Sequence, residues 1–180
     1  MVKTFKYINQ DILEKYSSEG SCPVCDKKEK LYCFYWDDGQ GFCDSSCINC
    51  IKTMPLNWIC PKEDESSIQN LINKKYPKGT KSGDQRFALV LETADEYRRT
   101  PRLPNFIQGE DWPTCCGEFS EFVGDAGRTY EGTLEGFEWY GYENDMCKEQ
   151  GIEETMTGED RVSLFQCKEC EKKYWTCQYT

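Results

Sequence analysis

The chain has 180 residues, 38% of them hydrophobic and 30% charged, with a formal net charge of −10. That length suits one domain or two small lobes, and so little aliphatic material makes a marginal core, a position in which small folds lean on metals or disulfides. The acid excess argues against nucleic acid, whose binding needs Lys and Arg on phosphates, and the absence of histidine excludes a His general base, a Ser-His or Cys-His nucleophile pair and a His-ligated zinc.

Met1 to Tyr7 opens no long apolar run and no stretch is long enough to span a bilayer, so the sequence reads as cytoplasmic. In a reducing compartment, closely spaced cysteines read as metal ligands or redox groups. Their odd total, thirteen, would leave one thiol over in a purely disulfide scaffold.

Phe5 to Ile8 predicts a short strand, and the spacing of Ile8, Ile12, Leu13 and Tyr16 predicts a brief helix after it. Cys22-Pro23-Val24-Cys25 is a C-x2-C knuckle, whose two-residue spacer lets one turn aim both thiolates at one ion. Left-handed backbone is favoured just after the second cysteine; Gly is cheapest there and Asp26 next best. Leu31 to Trp36 is aromatic-rich and predicts a buried strand. Cys47-Ile48-Asn49-Cys50 follows Cys25 after 21 residues, one step beyond a common zinc-ribbon spacing. The expectation is a four-cysteine zinc site on Cys22, Cys25, Cys47 and Cys50; a competing register uses Cys43 with Cys47.

Glu63-Asp64-Glu65 reads as a solvated run before a helix, with Ser66 and Ser67 as caps and Ile68, Leu71, Ile72 and Tyr76 as its face. Pro77 and Gly79 break it, and Lys78 to Asp84 is a polar loop. A second helix is predicted from about Arg86 to Arg99, with Phe87, Val90, Leu91, Ala94 and Tyr97 as its apolar face. Arg98 and Arg99 sit at the negative end of its dipole, and Pro101 stops it. From Leu103 onward, glycines alternate with aromatics in the rhythm of short strands and tight turns.

Near the end, Cys167-Lys168-Glu169-Cys170 is a second knuckle between two predicted strands. Its partners come from Cys115, Cys116, Cys147 or Cys177. Adjacent Cys115 and Cys116 would point to opposite faces of a strand, leaving one, Cys116, to bind; in a turn before Gly117 both could. Both are carried as candidate ligands with Cys167 and Cys170. Cys33, Cys60, Cys147 and Cys177 default to small apolar core residues. A redox-active C-x-x-C would need a thioredoxin-like βαβ context that the sequence lacks. Gly109-Glu110-Asp111-Trp112 sets two carboxylates beside a large aromatic. It is either a recognition loop for a basic partner or solvated acids beside a Trp packed over the second metal site.

Several segments together resemble the CbrC-like family of bacterial cysteine-rich proteins. They are Phe5-Lys6-Tyr7, Cys22-Pro23-Val24-Cys25, Cys47-Ile48-Asn49-Cys50-Ile51, Arg99-Thr100-Pro101, Gln108-Gly109-Glu110-Asp111-Trp112-Pro113, Cys115-Cys116-Gly117-Glu118, Phe122-Val123-Gly124 and Phe165-Gln166-Cys167-Lys168-Glu169-Cys170. The resemblance implies zinc knuckles and a link to colicin tolerance or immunity. Two positions depart from it: Cys115-Cys116 stands where a His-Cys pair is expected, and Ser120 where a further cysteine is expected. Cys115 would then supply the ligand that Ser120 cannot.

The sequence therefore predicts a small α+β, zinc-stabilised protein with knuckle or ribbon-like elements near both ends and helices between. Its parts are a zinc-knuckle lobe at 1–60, a helical connection at 61–100 and a β-rich lobe at 101–180, together one compact unit. Two four-thiolate zinc sites would take the net charge to roughly −14. The functional expectation is a structural zinc-binding interaction protein, not an enzyme, that binds a basic protein partner. The alternatives are a thiol-redox or zinc-dependent enzyme and a nucleic-acid-binding zinc protein.

Overall fold

The Asn9 side chain accepts a hydrogen bond from the Asp11 N–H and so starts α1 (Gln10–Lys15), which buries Leu13. In the computed structural model, residues 4–59, 65–103, 112–127, 130–143, 145–157 and 161–178 are described. Cys60, the acidic Glu63 and Asp64, and Gly109-Glu110-Asp111 lie outside them. Phe5 to Ile8 form a turn ending in one bridge residue, not the expected strand. Phe5, Tyr7 and Ile8 are nonetheless core, and Tyr7 meets Tyr97 edge to face with centroids 6.2 Å apart. Their apolar run reports burial rather than extension.

β1 (Ser18–Ser21), β2 (Lys28–Asp37) and β3 (Phe42–Cys47) make an antiparallel sheet in that order. Tyr32, Phe34 and Trp36 alternate onto the buried face of the central strand. α2 (Ile48–Thr53) leaves β3 without a loop. α3 (Glu65–Lys75) and α4 (Gly83–Arg99) pack on each other. A capping box between Ser82 and Gln85 begins α4 earlier than the expected Arg86. On its expected apolar face, Val90, Ala94 and Tyr97 are buried, but Phe87 and Leu91 are 59% and 46% exposed. Positions 90, 94 and 97 share one stripe, and 87 and 91 fall on its shoulder. These elements belong to a first unit, residues 1–103, so the helices of the expected connection are part of it.

The second unit spans 104–180. A two-stranded hairpin, β4 (Thr114–Cys115) and β5 (Glu118–Phe119), precedes β6 (Glu121–Ala126) and β7 (Phe137–Trp139). Two short helices that the sequence pattern does not predict follow, α5 (Met146–Gln150) and α6 (Ile152–Thr155). β8 (Arg161–Gln166) and β9 (Lys173–Gln178) complete a sheet of order β6-β8-β9-β7, antiparallel except where β7 joins β9. Ala126, Val162, Leu164 and Trp175 form its core together with Cys147 and Cys177. Those two cysteines are core residues, and they are also joined as a disulfide, with Cα atoms 6.4 Å apart. Among the described residues, no helix is long and apolar enough to cross a membrane.

Candidate metal centres

The first knuckle is the turn between β1 and β2. The Asp26 N–H donates to the Cys22 carbonyl at 2.8 Å, and the Cys22 N–H donates to the Lys27 carbonyl at 2.9 Å. Closing that turn puts Asp26 at φ 59°, the left-handed conformation anticipated after the second cysteine. Cys47 and Cys50 are not on a second β-turn, as a ribbon would have them. Cys47 ends β3 and is the N-cap residue of α2, and Cys50 lies one turn into that helix. The strand-to-helix junction swings both thiols to the knuckle, and Cys25 Sγ and Cys47 Sγ are 3.9 Å apart. Cys43, from the competing register, instead pairs with Trp36 across the β2–β3 ladder.

The second knuckle, between β8 and β9, repeats the first. The Glu171 N–H donates to the Cys167 carbonyl at 3.0 Å, the Cys167 N–H donates to the Lys172 carbonyl at 2.8 Å, and Glu171 sits at φ 60°. Opposite it, Cys115 pairs with Glu118 across a two-residue hairpin turn in which Cys116 and Gly117 both have positive φ, 51° and 74°. That is the turn geometry whose twist matches antiparallel strands. It removes the strict alternation of an extended strand, so both adjacent thiols face Cys167 and Cys170. Cys115 Sγ lies 3.8 Å from Cys116 Sγ and 3.5 Å from Cys170 Sγ. Trp112, whose indole N–H donates to the Ser120 carbonyl at 2.8 Å, is buried edge-on against Phe165, two residues before Cys167. Ser120 is buried but is not one of the four.

Each unit thus gathers one tetrad, Cys22, Cys25, Cys47 and Cys50 in the first and Cys115, Cys116, Cys167 and Cys170 in the second. Within each, all four sulfurs lie within 4.8 Å of one another. A tetrahedral ion with Zn–S bonds of about 2.3 Å needs S–S edges of about 3.8 Å. The 3.5, 3.8 and 3.9 Å separations bracket that value. Both tetrads could therefore hold a metal ion. Comparison with protein-family models, with characterised proteins and with solved structures finds no match to this chain. What the sites can do rests on their own chemistry.

That chemistry is a crowd of thiols that cannot all ionise without a cation. In the first tetrad, burial opposes ionisation of Cys22. Hydrogen bonds from the Ser46 hydroxyl and the backbone N–H groups of Cys47, Val24 and Cys25 outweigh it and bring the thiol down to about 6. Ser46 Oγ and the Cys47 nitrogen both lie 3.5 Å from Cys22 Sγ. Burial and the neighbouring sulfurs push Cys47 and Cys50 up. In the second tetrad, the Lys172 backbone N–H leads the groups that hold Cys170 near 7. Burial raises Cys115, and contact with Cys170 and Cys115 pushes Cys116 up to about 12. Cys22 and Cys170 ionise first in their sites while Cys47, Cys50, Cys115 and Cys116 resist; a divalent ion reverses that resistance.

Two contributors carry no mark in the sequence. Ser46 is fully buried beside Cys22. The Tyr174 hydroxyl acts against the burial that pushes Cys115 up, while burial and the sulfur raise the phenol. Nothing short of the fold distinguishes this serine or this tyrosine from their neighbours. The one signal was position: Ser46 precedes a candidate ligand, and Tyr174 lies on the strand leaving a knuckle.

Proposed function

We propose that the protein is a zinc-binding interaction protein in which two zinc ions, each held by four cysteines, tie remote segments together. The observation that carries this reading is the convergence, in each unit, of four thiols at tetrahedral-edge spacing. Thiolates favour soft or borderline ions, and closed four-thiolate structural sites are most often zinc. Each ion would fasten a knuckle to a second element: β3 and α2 in the first unit, the β4–β5 turn in the second. Closed four-coordinate sites leave no open position for substrate, which favours a structural over a catalytic role.

The formal charge of −10 supports a basic protein as partner, since opposite fields steer association. The resemblance to CbrC-like proteins supports bacteriocin tolerance or immunity as the setting, because a nuclease toxin must be basic to hold nucleic acid. The test begins with metal content of the native protein, where two zinc ions per chain are expected. Metal-free protein, or iron with inorganic sulfide, overturns the zinc reading. The partner reading is tested by expressing the protein in cells challenged with nuclease bacteriocins: protection and co-purification of the toxin are expected. Unchanged killing with no retained toxin removes it.

A further inference from the structure

The two tetrads share ligand chemistry but not shelter. In the first, Cys22 and Cys47 have no exposed surface, Cys50 is 9% exposed, Cys25 is partly exposed and none of the four is fully exposed. Cys22 is further covered by Ser46 and by the Cys47 N–H. In the second, only Cys167 is buried; Cys116 and Cys170 are exposed, and Cys115 is partly so. The exposed pair sits on the tips of two different turns, and Cys115 approaches Cys170 to 3.5 Å. A structural site has no need of surface thiolates. Zinc-bound thiolates remain ionised, so solvent access decides which of them an electrophile reaches.

We propose that the second tetrad is a peroxide-sensitive modification site, in which a hydroperoxide oxidises Cys170 and a thiol of the Cys115–Cys116 turn to a disulfide and zinc is released. The inference rests on the zinc reading of that tetrad. The Cys170 thiolate attacks the peroxide O–O bond, giving a sulfenic acid and an alkoxide, or hydroxide from hydrogen peroxide. A turn thiolate then attacks that sulfur and expels hydroxide. The two sulfurs together lose two electrons, the peroxide gains two, and two protons from solvent complete an alcohol and a water. The spacing of all four sulfurs within 4.8 Å leaves the partners only a short approach. Two thiolates remain, too few to retain the ion. The first tetrad, made of the same ligands, is the internal control.

The experiment treats the zinc-loaded full chain with hydrogen peroxide, follows zinc with a colorimetric chelator and maps disulfides in tryptic digests. Cleavage after Lys168 parts Cys167 from Cys170, so peptide 169–172 carries Cys170 alone and peptide 103–128 carries Cys115 and Cys116. The expected result is release of one zinc roughly ten-fold faster than the other, with peptide 169–172 disulfide-linked to 103–128. Two zincs lost together, neither lost, or a disulfide that lacks Cys170 overturns the proposal while the zinc reading stands. A native protein with no zinc overturns both.

Discussion

At the scale of single residues, the groups that position the candidate ligands are as informative as those cysteines. The sequence places Arg99 on the negative end of its own helix, α4. Its guanidinium instead reaches the C-terminal carbonyls of α2, donating from Nη1 to Ile51 at 2.7 Å and to Met54 at 3.1 Å, while Nε binds Asp95 at 2.8 Å. It therefore closes the far end of the helix whose first turn carries Cys50. Arg99→Ala leaves those carbonyls short of a charged donor and should cost about 2–3 kcal/mol, read as a lower urea midpoint of the first unit. Ser46→Ala removes a hydrogen bond to Cys22, and Tyr174→Phe removes the hydroxyl that acts against the rise of Cys115. Each should weaken zinc at its own tetrad by about 10-fold and leave the other unchanged, measured by chelator competition. Equal weakening at both sites would contradict the assignment of each group to one centre.

At the scale of elements, the disulfide closes a loop of 30 residues between α5 and β9. In the chain-entropy picture such a loop contributes about 3–4 kcal/mol. Cys147→Ala with Cys177→Ala should lower the stability of the second unit by about that amount and leave the first unit's unfolding transition in place, followed by urea denaturation. The pairing was invisible in the sequence because positions 147 and 177 meet through the packing of α5 on β9, not by spacing. The same limit explains the rest. α3 and α4 are long enough for the 3.6-residue period to show, and β2 for aromatic enrichment to show. α5 and α6, of five and four residues, are shorter than any period can establish, and only Asp145, accepting from the Cys147 N–H, marks a start. The knuckles were legible because a C-x2-C turn is local, down to the backbone of Asp26. How Cys115 and Cys116 face the same way depends on positive φ at Cys116, which side-chain identity does not announce.

At the scale of the whole molecule, a metal ion bound at the tetrads would couple proton exchange to folding. Each unit has its own tetrad, so each carries its own linkage. In the metal-free protein at pH 7, Cys22 is drawn down to about 6 and Cys170 to about 7, while Cys47, Cys50, Cys115 and Cys116 are held up. On the zinc proposal the ion would take all four sulfurs of a site as thiolates, so binding would expel the protons that the raised thiols still carry. The sign follows from that. Raising the pH removes protons that zinc would otherwise have to displace, so affinity rises with pH; acid restores them and frees the ion. Stability follows the same direction. In a zinc-loaded fold the ligand thiols would stay deprotonated below their ordinary value of about 9, whereas the unfolded chain would protonate them, so the unfolded state would bind more protons and stability would fall as the solution is acidified. Calorimetry of zinc binding in two buffers of different ionisation enthalpy should show net proton release at both sites near neutral pH. Zinc-loaded protein titrated from pH 8 toward pH 5 should lose its metal and its thermal stability together. Binding with no proton exchange, or metal retained as stability falls, would mean that the thiols are not the ligands.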